Sequence, residues 1–256
     1  MKDIVLNEVA RGAELLSSCG RLDDLRASIS LVARYDVQAA GVEAAEAVRH
    51  VTDYAKRAFP EVLPAHIDSI APHYVANAHT FPLSRIDSVP ITQAEMDTIG
   101  SLSGGRLQRL AFSALALAKY DTMRFPDVDY WIRGDRWSEV MRRANLIVSR
   151  DELRLLFHEL YVAKLIGASQ RVGNNGIHVL FVAPDSEVAL SLTDPDYKDL
   201  GYTLRAAQGE PYRRCAECGR WIKQAKNGRK KYCGGCAANE IKERDALRRR
   251  RERAKC

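Results

Sequence analysis

Four cysteines in two short pairs, Cys215-x-x-Cys218 and Cys233-x-x-Cys236, limit what this chain can fold into more than any other feature. Each Cys-x-x-Cys places two sulfurs on one tight knuckle, and two knuckles bring four soft donors to a single point. That is the ligand set of a tetrahedral zinc ion. The fourteen intervening residues are enough for a hairpin between the knuckles. Gly219 follows the first pair and Gly234-Gly235 lies inside the second, where such turns need glycine. One pair alone would suffice for dithiol chemistry. Four thiolates close the coordination sphere, so the expected zinc is structural, with no position left for water or substrate.

Charge says where a function would lie. Residues 211–256 carry 16 Lys and Arg against 5 Asp and Glu, a formal +11. The whole chain is +6, so residues 1–210 come to −5. Lys223, Lys226, Arg229, Lys230 and Lys231 sit between the knuckles, and Arg248, Arg249, Arg250 and Arg251 follow the last ligand. From 237 to 255 there is no Gly or Pro, so a helix is expected to leave the second knuckle. This favours a treble-clef-like finger over an all-β ribbon. Four consecutive arginines point in every direction around a helix, which is not a membrane-binding stripe. The expected partner is a polyanion, nucleic acid phosphate, with DNA preferred to RNA although the charge pattern alone does not separate them.

The segment Cys215-Ala216-Glu217-Cys218-Gly219, a basic loop, then Tyr232-Cys233-Gly234-Gly235-Cys236 and a basic helix resembles the small C-terminal zinc fingers of bacterial and phage proteins. The resemblance covers the last sixth of the chain and implies metal binding more than any one biological role.

Residues 106–183 read as one unit. Leu107, Leu110, Ala111, Ala114, Leu115, Leu117 and Ala118 predict an apolar helix running to Tyr120. Tyr130-Trp131-Ile132 reads as a short strand, and Asp135 as the cap of a second helix over 136–144. Ser149-Arg150-Asp151-Glu152 is a capping box opening a third helix, with Leu153, Leu156, Phe157 and Leu160 on one face and an end near 166–167. Residues 168–172 and 177–182 flank Gly173-Asn174-Asn175-Gly176, a hairpin signal. This order predicts a winged helix-turn-helix. The apolar helix ending in Ala118-Lys119-Tyr120, the Trp-bearing segment, the helix pair and the wing resemble the winged domains of phage and plasmid replication organisers. The whole chain is similar to a family of proteins from phages and bacterial mobile elements. The resemblance implies an architecture and a genomic setting; the role expected in that setting is replication initiation or transcriptional regulation.

On that reading Arg150, Arg154 and His158, with Tyr161, face outward from the third helix toward bases, and the wing brings Arg171 or His178 near phosphate. Arg150, Arg154 and Lys164 are balanced by Asp151, Glu152 and Glu159, however, so the helix is neutral. A winged fold used for protein contact or dimerisation is the competing reading. Arg133, Arg136, Arg142 and Arg143 on the preceding segment are the alternative phosphate contacts.

The fold class expected is mainly α: a helical domain over 1–105, the winged α+β domain over 106–183, a linker over 184–210 and the finger over 211–256. Helices are expected over 5–16, 22–35 and 42–58, then short ones over 65–70 and 73–78. Thr92-Gln93-Ala94-Glu95 reads as a second capping box. The first part suits a scaffold or homodimerisation domain. The starting sequence lacks a signal-peptide core, no apolar run reaches membrane-spanning length, and Cys19 and Cys256 are unpaired, which together predict a reducing cytoplasm. No enzyme is expected. Asp127/Asp129 and Asp194/Asp196 lie in turns where Asp serves local hydrogen bonds. Ser103-Gly104-Gly105-Arg106 lacks a phosphate-loop ending, and His158-Glu159 lacks a second helical His. The alternative function is that of an interaction protein that modulates a host or phage protein machine.

Overall fold

The computed structural model describes residues 4–22, 24–168, 176–224, 228 and 230–253. It is mainly helical with three small sheets, and it divides into two compact units, residues 1–88 and 89–256.

The first unit holds α1 (Glu8–Ser18), α2 (Leu25–Arg34), α3 (Ala44–Ala58) and α4 (Pro64–Ala76). Local caps set the helix starts. Asn7 accepts the Ala10 N–H at 2.9 Å, and Asp24 accepts that of Ala27 at 2.9 Å, so α1 and α2 begin later than apolar periodicity suggests. A π-helical turn, Tyr35–Ala39, follows α2. The two short helices expected over 65–70 and 73–78 are one. Ile67, Ala71 and Val75 are buried four residues apart, and that stripe carries α4 across Pro72 despite the missing backbone donor. Leu15, Ile29, Val32, Val51 and Tyr54 fill the centre.

The second unit begins with β1 (Val89–Thr92), α5 (Gln93–Gly100) and α6 (Gly105–Arg124). As expected from the second capping box, the Thr92 N–H donates to Glu95 Oε2 at 2.9 Å. Helix α6 extends beyond the apolar residues on both sides. It is buried nearly all round, with Leu110, Phe112, Leu115 and Leu117 at 0% exposure, as befits the axis of a domain. Even Lys119 is enclosed, its Nζ 2.9 Å from both oxygens of the fully buried Glu95.

After α6 come β2 (Trp131–Ile132), α7 (Trp137–Arg143), α8 (Arg150–Val162), β3 (Ile166–Ala168) and β4 (Ile177–Val179). The three strands form one antiparallel sheet in the order β2-β4-β3, with Trp131, His178 and Gly167 in register. Three local expectations need correction. Asp135 does not cap α7: its carboxylate pairs with Arg133 at 2.6 Å, and a 3-10 turn, Gly134–Arg136, intervenes. Ser149 caps α8 through the Glu152 N–H at 3.2 Å, but the Glu152 carboxylate turns to Arg106 instead of closing the box. Helix α8 stops at Val162 because Lys164 adopts a left-handed backbone (φ 58°), releasing Ile166 into the sheet. Most of the expected hairpin turn, 169–175, lies outside the described residues.

Residues 184–210, expected as a linker, are part of the core. They form β5 (Val188–Leu192), α9 (Asp194–Lys198) and α10 (Leu200–Ala207). Strand β5 pairs antiparallel with β1, which ties the segment before α6 into this unit instead of the helical one. Leu192, Tyr197, Leu200 and Leu204 are fully buried. A Cβ on Gly201 would lie 2.2 Å from the Ala144 carbonyl oxygen, so only glycine lets α10 come this close. The chain then enters β6 (Tyr212–Arg214), β7 (Trp221–Lys223) and α11 (Gly234–Arg253). No helix among the described residues is long and apolar enough to cross a membrane.

Candidate metal centre

The expected convergence of sulfurs is present. One ligand atom from each of Cys215, Cys218, Cys233 and Cys236 lies within 4.8 Å of the others. The hairpin, however, surrounds the first knuckle and does not lie between the two. Strand β6 leads into Cys215, the chain turns through Cys218, and β7 returns beside β6 with Arg214 opposite Trp221. Cys215 N–H donates to the Arg220 carbonyl at 2.7 Å, and Gly219 N–H to the Cys215 carbonyl at 3.1 Å. Gly219 takes a positive φ of 67°, the conformation for which glycine was expected there. The second knuckle opens α11, so Cys236 lies in the first turn of that helix. The Ala216 N–H donates to the Lys231 carbonyl at 3.1 Å, clamping one knuckle to the other.

The donor set fits a tetrahedral ion. Metal–sulfur arms of about 2.3 Å give a tetrahedron with edges of about 3.8 Å. The Cys218 and Cys233 sulfurs stand 3.7 Å apart. Backbone N–H groups aim at the sulfurs, Cys233 N at Cys215 Sγ (3.3 Å) and Cys236 N at Cys233 Sγ (3.5 Å), which stabilises thiolate. Burial pushes the Cys215 thiol up, but backbone donors from Cys218, Cys233 and Glu217 outweigh it and leave it at about 6. The Cys236 N–H likewise holds Cys233 low. Burial raises Cys218, and Cys236 is raised by its hydrogen bond with Cys233 and by burial. Four sulfurs this close do not all ionise unless a cation sits among them, and a metal ion would relieve the conflict. Cys215, Cys218, Cys233 and Cys236 would hold it, leaving no open coordination position.

The other predicted site residues separate into groups. Lys223, Lys230 and Lys231 are exposed around the knuckles, with Arg213 beside them. Lys226, Arg229 and Arg171 lie outside the described residues. Arg248, Arg249, Arg250 and Arg251 fall on the backbone of α11, their side chains outside the described ones. Arg150, Arg154 and His158 share the open face of α8 with Tyr161, as expected. Arg154 leans on Asp151 at 3.2 Å, both well exposed. That face also presents Leu155 (61% exposed) and Val162 (64%), which sequence periodicity did not flag. His178 stacks on Trp131, with ring centroids 4.8 Å apart.

Arg142 is exposed, but Arg143 is a correction. Its side chain is 1% exposed, and its guanidinium bonds the Glu139 carboxylate at 2.6 Å and the Tyr197 carbonyl. Arg136 is likewise consumed by Asp121 and Glu139. These cations are spent on the buried Asp121 and the half-buried Glu139 of their own domain.

One residue that contacts the cysteine module escaped the sequence reading in that place. Asp196, considered as half of an acid pair, is buried and receives Arg214 and Trp221 from the finger. Thr193-x-x-Asp196 was a legible capping box; the finger contacts were not legible. Scans of the chain against protein-family models, curated proteins and solved structures each return no match.

Proposed function

We propose that this chain is a non-enzymatic nucleic-acid-binding protein whose basic finger is built on one structural zinc ion. The carrying observation is the concentration of positive charge on the module that the sulfur cluster holds: Arg213, Lys223, Lys230 and Lys231 are exposed around it, and 211–256 carries +11 against −5 for the rest. Four thiolates in a closed tetrahedron suit zinc chemically. The order helix, strand, helix, helix, strand, strand over α6 to β4, with the sheet order β2-β4-β3, supports reading this part as a winged helix. Duplex DNA is the proposed partner, and replication initiation or transcriptional regulation the proposed role.

A salt series on duplex DNA, single-stranded DNA and RNA tests this with the intact chain. Replacing Lys223, Lys230 and Lys231 together by Gln is expected to weaken binding to all duplex sequences alike. It should flatten the salt slope by about 2–3, near 0.9 for each lost phosphate contact. An unchanged slope would remove the finger from the interface. In the same assay Arg142→Ala should flatten the slope by about 0.9 without a stability change. Arg143→Ala should leave the slope alone and destabilise the fold by about 2–3 kcal/mol, because its hydrogen bonds are internal. A slope change with Arg143→Ala would reverse that assignment.

A second reading has its own observation. The open face of α8 carries Leu155, Tyr161 and Val162, with Ile147 98% exposed just before it. This favours protein contact through α8, either with a second copy or with another protein, and it predicts that Leu155→Glu changes association without changing the salt slope of nucleic-acid binding.

A further inference from the structure

Asp196 is 1% exposed, and its two oxygens serve different parts of the fold. Oδ2 accepts the Thr193 N–H and hydroxyl, both at 2.9 Å, and so caps α9. Oδ1 accepts the Thr203 hydroxyl from α10 at 3.2 Å, Arg214 Nη2 at 2.5 Å and Trp221 Nε1 at 3.2 Å. The last two donors bracket the first knuckle. The Arg214 guanidinium also lies 4.4 Å from the Trp221 ring centroid and donates to the Gly219 carbonyl at 3.1 Å. Two further contacts seat the knuckle on the same turn. Arg220 Nε is 3.3 Å from Asp199, and a Cβ on Gly219 would lie 3.1 Å from Pro195 Cβ.

A buried carboxylate is tolerated only with its donors in place. Two of the five donors to Asp196 belong to residues whose position depends on the cysteine centre. We propose that Asp196 is a positioning residue that couples metal occupancy to the body: with metal bound, Arg214 and Trp221 stay on Oδ1 and the 193–204 segment is locked. When the metal leaves, the knuckle opens, Asp196 loses both donors, and α9 with the start of α10 loosens. The finger is then no independent appendage. This rests on the metal reading of the four cysteines.

Hydrogen exchange on the full chain tests it, after metal content has been measured. In the native chain, chelation is expected to speed amide exchange across 193–204 by about a hundred- to ten-thousandfold, the loss anticipated for two hydrogen bonds to a charged group. Arg214→Met combined with Trp221→Phe removes the finger's donors while leaving the Thr193 cap. That variant should still bind one metal per chain, exchange fast at 193–204 with metal present, and gain nothing further on chelation. Unchanged protection at 193–204 after chelation of the native chain overturns the coupling, whatever the variant does. A chain that binds no metal at all would instead refute the metal reading, and the metal content separates the two failures.

Discussion

Removing the metal is expected to unfold the finger outright. Among its described residues only Cys215 and Ile222 are buried apolar side chains, far too little surface to offset the ordering of some forty residues. A structural zinc site supplies about 10–16 kcal/mol of binding free energy, and in so small a module that is folding free energy. Helix α11 depends on it most. It begins inside the second knuckle and carries no apolar stripe, so no packed face supports it once the knuckle opens. Treatment with a strong chelator, or Cys215→Ser, should therefore remove the helical signal of α11 from the circular dichroism spectrum and leave most of the remaining helix signal. It should also make the remaining thiols reactive. A spectrum and thiol reactivity unchanged by metal loss would show that the cysteines pack as ordinary side chains.

The finger was legible because its chemistry is local. Cysteine spacing within each pair fixes a knuckle, and a metal needs no knowledge of the rest of the chain. The hairpin was misplaced because sulfur spacing does not reveal that β6 begins before Cys215 and pairs around the first knuckle. Helices α6 and α8 and the Glu95 cap were legible for a similar reason: periodicity and capping act within a few residues.

What escaped was long-range. Nothing local in 184–210 announces that Val188–Leu192 pairs with a strand a hundred residues earlier, or that Tyr197 donates its hydroxyl proton to the Ala116 carbonyl. A polar, Pro-containing stretch with few periodic residues reads as a connection until its partner is known. The arginines of α7 mislead in the same way. Arg142 and Arg143 are neighbours in sequence, yet one faces solvent and the other neutralises Glu139 inside the domain. Charge counts alone cannot separate a phosphate contact from an internal counter-ion, whereas burial can.

The same distinction governs Lys119, and it carries the largest single-residue effect expected in the body of the second unit. Its ammonium donates to both oxygens of Glu95 at 2.9 Å. Those oxygens also accept Thr92 N–H at 2.9 Å and Ala183 N–H at 3.0 Å, so the carboxylate joins β1, α6 and the segment before β5. Lys119→Met leaves a carboxylate at 0% exposure without its counter-ion and should cost about 3–5 kcal/mol. For a unit of this size that lowers Tm on the order of 10 °C. Glu95→Gln alone should cost a comparable amount, because the ammonium is then stranded. Lys119→Met with Glu95→Gln should recover much of the loss: no charge remains buried, and the amide oxygen still accepts one of the two backbone donors. The double-mutant cycle should therefore return a coupling of about 4–6 kcal/mol, the sum of the two single losses less what the double variant still loses. Additive losses would mean that the two backbone donors, and not the ammonium, hold Glu95 in place. A large coupling would show that the body of this protein keeps a buried ion pair as a fastener between its first strand and its central helix, where an apolar pair would pack without fixing the register of β1.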